Sequence, residues 1–326
     1  MKEAPRLLQG GAFFGEWNVM CILSNEQMNG KKLIVHSMAP TTTHSVWTGL
    51  PIGDDQLTRE EWINQVSGWL RAFLDVGQIV ELRALKVDKD RFSNKTVSGF
   101  FDTEHLEDMA AAALDLSEKA EGVYFTFNPL DPVLLAKRCN RVAVAVAGDA
   151  SCDGNVLGRR WLLVDVDPLR VSGVSSSEQE RQKALELVTR VRDDLSQRGW
   201  PEPVFGDSGN GYHLFYRVDL PAEDGGLVKR VLSGLAKRYD TADVKIDQTV
   251  FNRARIVKLY GTKACKGDDT PDRPHRLSSV LKFPDDLQVV DQGLLEEVAS
   301  EAVSVGFAPK REMAGPRRGS NIGLGT

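Results

Sequence analysis

Asp165 and Asp167 stand two residues apart in WLLVDVDP, where an apolar run reads as a buried β-strand ending at Pro168. Side chains alternate along a strand, so both carboxylates point to one face. Two anions that close repel each other unless a cation lies between them. All-oxygen ligands suit Mg2+ or Mn2+. A lone DxD turn commonly binds nothing, so other groups have to join it. Asp247 is one; it follows VKI, a second short apolar strand, and Lys245 and Arg253 are its ordinary salt-bridge candidates. Three acids at strand ends can hold two divalent ions bridged by a triphosphate. One ion then activates the attacking oxygen and the other stabilises the leaving phosphate.

Ser208-Gly209-Asn210-Gly211 can turn tightly and present backbone N–H groups to an anion. His213 follows at the start of the strand YHLFYRV. A single histidine or a single glycine loop is weak evidence. Beside three acids, the two together fit the phosphate side of a triphosphate site. Arg255 and Lys258, in RIVKLY, add positive charge. Strict alternation puts these two on opposite faces, and only a bulge or twist brings both to the phosphates.

The net charge of -5 argues mildly against generic nucleic-acid binding. Its distribution argues the other way. From Lys229 to Lys266 there are ten Lys or Arg against three Asp, the excess that a polyphosphate or nucleic-acid backbone requires. The composition, 27% charged and 41% hydrophobic, is that of a globular protein. There is no apolar run of membrane-spanning length and no secretory h-region, so the expectation is no membrane and a cytoplasmic location. Cys21, Cys139, Cys152 and Cys265 form no CxxC pair, which argues for reduced thiols and against a zinc knuckle.

These residues need elements to position them. Residues 1–57 read as an N-terminal extension. NVMCIL and KKLIVHSM suggest a β-hairpin with Asn29-Gly30 in the connection, and His36 and His44 have no metal-partner spacing. A helix starts at Thr58, where Thr58 and Glu61 form a capping box and Trp62, Val66, Trp69 and Phe73 make a core-facing stripe. The strands VELRALKV and VSGFF, a helix over 103–120 and the buried strand VYFTF complete a first part, 58–150. The second part, 151–290, has the DxD strand and a helix over 175–198 capped by Ser175 and Glu178. Paired strands PVF and YHLFYRV, a basic helix over 227–239, and VKI with RIVKLY as a second strand pair follow. The order predicts an α+β fold with helices on one face of an antiparallel or mixed sheet. Residues 291–326 read as an acidic helix and a Gly-, Pro- and Arg-rich tail or linker, which fits a piece of a longer protein.

LLVDVDP, SGNGYH and VKIDQTVFN stand in the order of the archaeo-eukaryotic primase superfamily. NRARIVKLYGTKACKGDDTPDRPHRLS resembles the phage- and plasmid-borne bifunctional primase-polymerases within it, as do VELRAL, SGFF and VYFTFNPLDPVLLAKRCNR. The resemblance spans about residues 80–283. It implies an RRM-like catalytic sheet packed on an N-terminal α/β subdomain, with Asp165, Asp167 and Asp247 binding two Mg2+ or Mn2+ ions. It also implies His213 and Ser208 on the nucleotide phosphates, with Arg255 and Lys258 nearby. The reaction would be nucleotidyl transfer from an NTP or dNTP to a 3′-hydroxyl on a single-stranded DNA template, resting on positioning and charge neutralisation. Arg83, Asn128 and Arg141 are candidates for a second nucleotide site. Arg253 stands where relatives often have proline, and Cys265 where a basic residue is common. No Walker motif occurs, so a helicase partner would lie beyond Thr326 or act in trans. The alternatives are a catalytically silent DNA-binding, helicase-recruiting module and a metal-dependent nuclease.

Overall fold

The computed structural model describes residues 57–88 and 95–303. The extension hairpin, His36, His44, Cys21 and the Gly-Pro-Arg tail lie outside the described residues. The first elements are α1 (Arg59–Phe73), β1 (Val80–Val87), β2 (Lys95–Phe101), α2 (Leu106–Ser117), β3 (Gly122–Thr126) and β4 (Arg141–Val144). Then come β5 (Gly158–Pro168), α3 (Glu178–Gln197), β6 (Val204–Asp207), β7 (Tyr212–Pro221), α4 (Leu227–Tyr239) and β8 (Val244–Ile246). The chain continues through β9 (Ile256–Lys258), β10 (Lys263–Ala264), β11 (Arg276–Leu277), β12 (Ser279–Lys282) and α5 (Gln292–Val303).

The result is a mixed α/β architecture built on two five-stranded sheets. One has the order β4-β2-β1-β3-β9 and the other β12-β6-β7-β5-β8, and every pairing within them is antiparallel. The two short strands in VKI and RIVKLY, β8 and β9, do not pair with each other. β8 lies beside β5, whereas β9 closes the edge of the first sheet against β3, with Tyr124 opposite Lys258. A late segment of the chain therefore completes an early sheet.

Helix α1 forms as its sequence predicts. Thr58 and Glu61 cap each other reciprocally, and Trp62, Val66, Trp69, Leu70 and Phe73 are buried. Helix α3 starts later than expected, capped by Ser177 and Glu180. Ser175 is unavailable as a cap because its hydroxyl donates to the Lys266 carbonyl. Ser176 is likewise engaged, its N–H donating to Asn210 Oδ1. Both serines tie the loop before α3 to the segments that flank the cavity.

The core between the layers is aromatic. Phe73 stacks on Trp161 of β5 with ring centroids 4.1 Å apart, and it meets Phe125 of β3 and Phe215 of β7 edge-on. This one side chain touches a strand of the first sheet and two strands of the second. The strand that carries the DxD pair is thus clamped at Trp161, four residues before Asp165.

Candidate active site

Strand β5 has β7 on one side and β8 on the other. Val164 and Val166 are buried while Asp165 and Asp167 are partly exposed, so the alternation read from the sequence holds. Asp165 is opposite His213 on β7, and Asp167 is opposite Lys245 on β8. Just past β8, the Asp247 N–H donates to the Asp165 carbonyl at 2.8 Å, which draws the third acid beside the first. All three acids line one cavity of about 380 Å³. Ser208, Asn210, His213, Arg255 and Lys258 line it as well, with Tyr124, Glu121 and Lys266. Strands β3 and β9 supply the wall that comes from the first sheet.

Each acid has a basic side chain at hand. Asp165 Oδ1 is 3.5 Å from His213 Nε2, Asp167 is 3.6 Å from Arg170, and Asp247 is 3.3 Å from Arg255. Burial penalises the Asp165 carboxylate, but His213, Arg255 and Lys266 outweigh the penalty and hold its pKa below the usual value. Asp167 goes the other way. Burial and the neighbouring Asp165 charge push its pKa up, against the pull of Arg170 and Lys266. Among the described residues no three His, Cys, Asp or Glu side chains are gathered closely enough to hold an ion. The donor set still fits a hard divalent cation in kind. It consists of carboxylate oxygens around one cavity, and the repulsion raising Asp167 is what a bound cation relieves.

The sequence leaves Arg255 and Lys258 on opposite faces, yet both line the cavity. Strand β9 begins only at Ile256, so Arg255 precedes the alternating stretch and turns toward Asp247. Lys258 is buried, with its Nζ donating to the Lys263 carbonyl at 2.6 Å and lying 5.7 Å from the Tyr124 ring centroid. Burial pushes its pKa down to about 7.

The SGNG loop differs from the simple phosphate cradle that its sequence suggests. The Gly209 N–H donates to Asp207 Oδ1 at 2.7 Å, and the N–H groups of Asn210 and Gly211 donate to Ser208 Oγ at 3.4 and 2.9 Å. These amides are spent within the turn. Ser208 and Asn210 line the cavity, and Gly209 and Gly211 are not among its lining residues. The glycines serve geometry. Gly209 has φ +88°, and a Cβ at Gly211 would collide with the Asp167 carboxylate and the Val166 carbonyl. Gly211→Ala is therefore expected to destabilise the fold by about 1–3 kcal/mol, measured by urea unfolding, because a backbone atom has to move.

None of the proposed second-site residues lines this cavity. Arg83 is held by Glu81 at 2.6 Å. Asn128 is buried and bridges the Arg160 N–H and the Arg253 carbonyl. Arg141 lies on the edge strand β4. The sequence reading missed Tyr124, Lys266 and Tyr260. Lys266 helps to hold the Asp165 pKa down, and Tyr260 hydrogen-bonds His213. Their signal lay in the basic string and in VYFTF, but single side chains there carry no spacing that marks them.

No helix among the described residues is long and apolar enough to cross a membrane. No protein-family model and no curated protein matches the chain. Solved structures do. One is the crystal structure of primase RepB′, with 13% identity and a TM-score of 0.42, matched over 73% of this chain and 62% of that one. Another is the catalytic domain of primase RepB′ in complex with initiator DNA, with 12% identity and a TM-score of 0.41, matched over 73% of this chain and 94% of that one.

Proposed function

We propose that the chain is a DNA primase-polymerase, transferring nucleotides from NTP or dNTP to a 3′-hydroxyl on single-stranded DNA. The observation that carries this reading is one cavity lined both by Asp165, Asp167 and Asp247 and by His213, Arg255, Lys258 and Lys266. Acids and bases so placed suit a metal-bound triphosphate better than a lone phosphodiester, which counts against the nuclease alternative. In this reading the β12-β6-β7-β5-β8 sheet with α3 and α4 is the RRM-like catalytic sheet. The other sheet, with α1 and α2, is the N-terminal subdomain.

Asp165, Asp167 and Asp247 would hold two Mg2+ or Mn2+ ions. When bound, these ions supply charge neutralisation at the attacking and leaving oxygens. His213 orients the phosphates, and Arg255 and Lys266 neutralise them. Lys258, with its ammonium partly desolvated, adds an interaction that strengthens in a site closed to water. The ion pairs that the acids already make favour one second reading, a silent DNA-binding module.

The test uses circular single-stranded DNA without a primer, labelled ATP, all four dNTPs, and Mg2+ or Mn2+ in parallel, beside a primed template. Labelled product from the unprimed circle is the expected result. Extension of the primed template alone would reduce the reading to a polymerase. DNA binding with no incorporation on either template would replace it with the binding module.

A further inference from the structure

Gly206 on β6, His213 on β7 and Asp165 on β5 form one cross-strand row, each opposite the next. Residues directly opposite in antiparallel strands share a face. At Gly206 that face has no side chain, and the phenol of Tyr260 fills the space. A Cβ at Gly206 would collide with the phenol ring and its hydroxyl. From there the Tyr260 hydroxyl reaches His213 Nδ1 at 2.8 Å, while His213 Nε2 faces Asp165 Oδ1 at 3.5 Å. Tyr260 is 1% exposed and His213 4%, so water cannot readily substitute for either partner.

The tyrosine is itself anchored. Its ring packs against Trp69 of α1 with centroids 5.5 Å apart. On one side the Leu259 N–H donates to the Val123 carbonyl, and on the other the Gly261 N–H donates to the Ser278 carbonyl. Gly261 has φ +93°, and a Cβ there would press on Val66 of α1. The charged form of Tyr260 is disfavoured by burial and then by Asp165 and Asp207, so the oxygen keeps its proton. An ionised carboxylate only accepts hydrogen bonds, so a neutral His213 satisfies Asp165 best with its proton on Nε2. Nδ1 is then an acceptor, and the Tyr260 hydroxyl is its donor.

We propose that Tyr260 is a positioning residue of the site: seated in the slot at Gly206, its hydroxyl fixes the ring plane and tautomer of His213 so that Nε2 faces Asp165 and the cavity. The kinetic consequence rests on the primase-polymerase reading. The tautomer does not, so the two can fail separately.

The experiment uses the full chain labelled with 15N-histidine, with His213→Ala to assign the His213 resonances. At a pH high enough to deprotonate the imidazolium, the wild type should show His213 as one tautomer, with its proton on Nε2. In Tyr260→Phe the Nδ1 resonance should move and both tautomers should appear, while the melting temperature stays within a few degrees. Gly206→Ala keeps the hydroxyl but displaces the phenol, and should disturb the same resonances. In the incorporation assay Tyr260→Phe should lower kcat about tenfold or more. Added to His213→Ala, it should lower kcat no further. Unchanged His213 resonances in Tyr260→Phe would overturn the proposal. So would an equal loss of kcat in the wild-type and His213→Ala backgrounds. If the wild type incorporates no nucleotide, the function proposed above falls, and the resonances still decide the role of Tyr260.

Discussion

Replacing Asp165 and Asp167 together by alanine is expected to lower metal-dependent nucleotide incorporation by roughly 10³-fold or more. DNA binding, measured by fluorescence anisotropy, should persist. The stability of the protein should respond differently to the two positions. Asp167 has a raised pKa in the fold, so its contribution is fully present at low pH and is lost as pH rises through that pKa. At neutral pH its charge is a cost, imposed by burial and by Asp165. Asp167→Asn alone should therefore raise the melting temperature in the absence of divalent metal. Added Mg2+ or Mn2+ should stabilise the wild type and not the variant. A double-alanine variant that incorporates nucleotide at the wild-type rate would remove both carboxylates from the reaction.

Phe73→Ala should be the most destabilising single core change, by about 3–5 kcal/mol in urea unfolding. Its ring is 1% exposed and stacked on Trp161 at an interplanar angle of 8°. Removing it leaves a void bordered by Phe125, Phe215 and Trp161, which belong to strands of both sheets. Rigid neighbours on several sides cannot collapse into such a space, which is when the cavity contribution is largest. A loss below about 1 kcal/mol would mean that the sheets are not joined through this ring.

Much of the site was legible because its key residues obey short-range rules. Strand alternation placed Asp165 and Asp167 on one face, and helical spacing gave the buried stripe of α1 and the span Leu227–Tyr239 of α4. What escaped depends on distant partners. Ser175 with Glu178 and Ser177 with Glu180 fit the same capping pattern, and only the bond from Ser175 to the Lys266 carbonyl decides between them. VKI and RIVKLY look like neighbours because they are close in sequence, yet three-residue strands carry no record of their partners. The amides of SGNG looked available until the structure placed Asp207 and Ser208 as their acceptors. Nothing local links Tyr260 to the empty position at Gly206.

The pairing of β9 with β3 also sets an order of events during synthesis. The β3 edge is made early, but the strand that covers it is translated only after β5, α3, β7 and α4. While the ribosome works through them, the backbone groups of Tyr124, Phe125 and Thr126 that β9 later satisfies stay open to other strands. The nascent chain thus carries an uncovered sheet edge from the synthesis of Thr126 to that of Ile256, a window for misassembly that closes when Ile256–Lys258 arrives. That same arrival delivers Arg255 and Lys258 to the acids, so covering the sheet edge and building this wall of the cavity are one event.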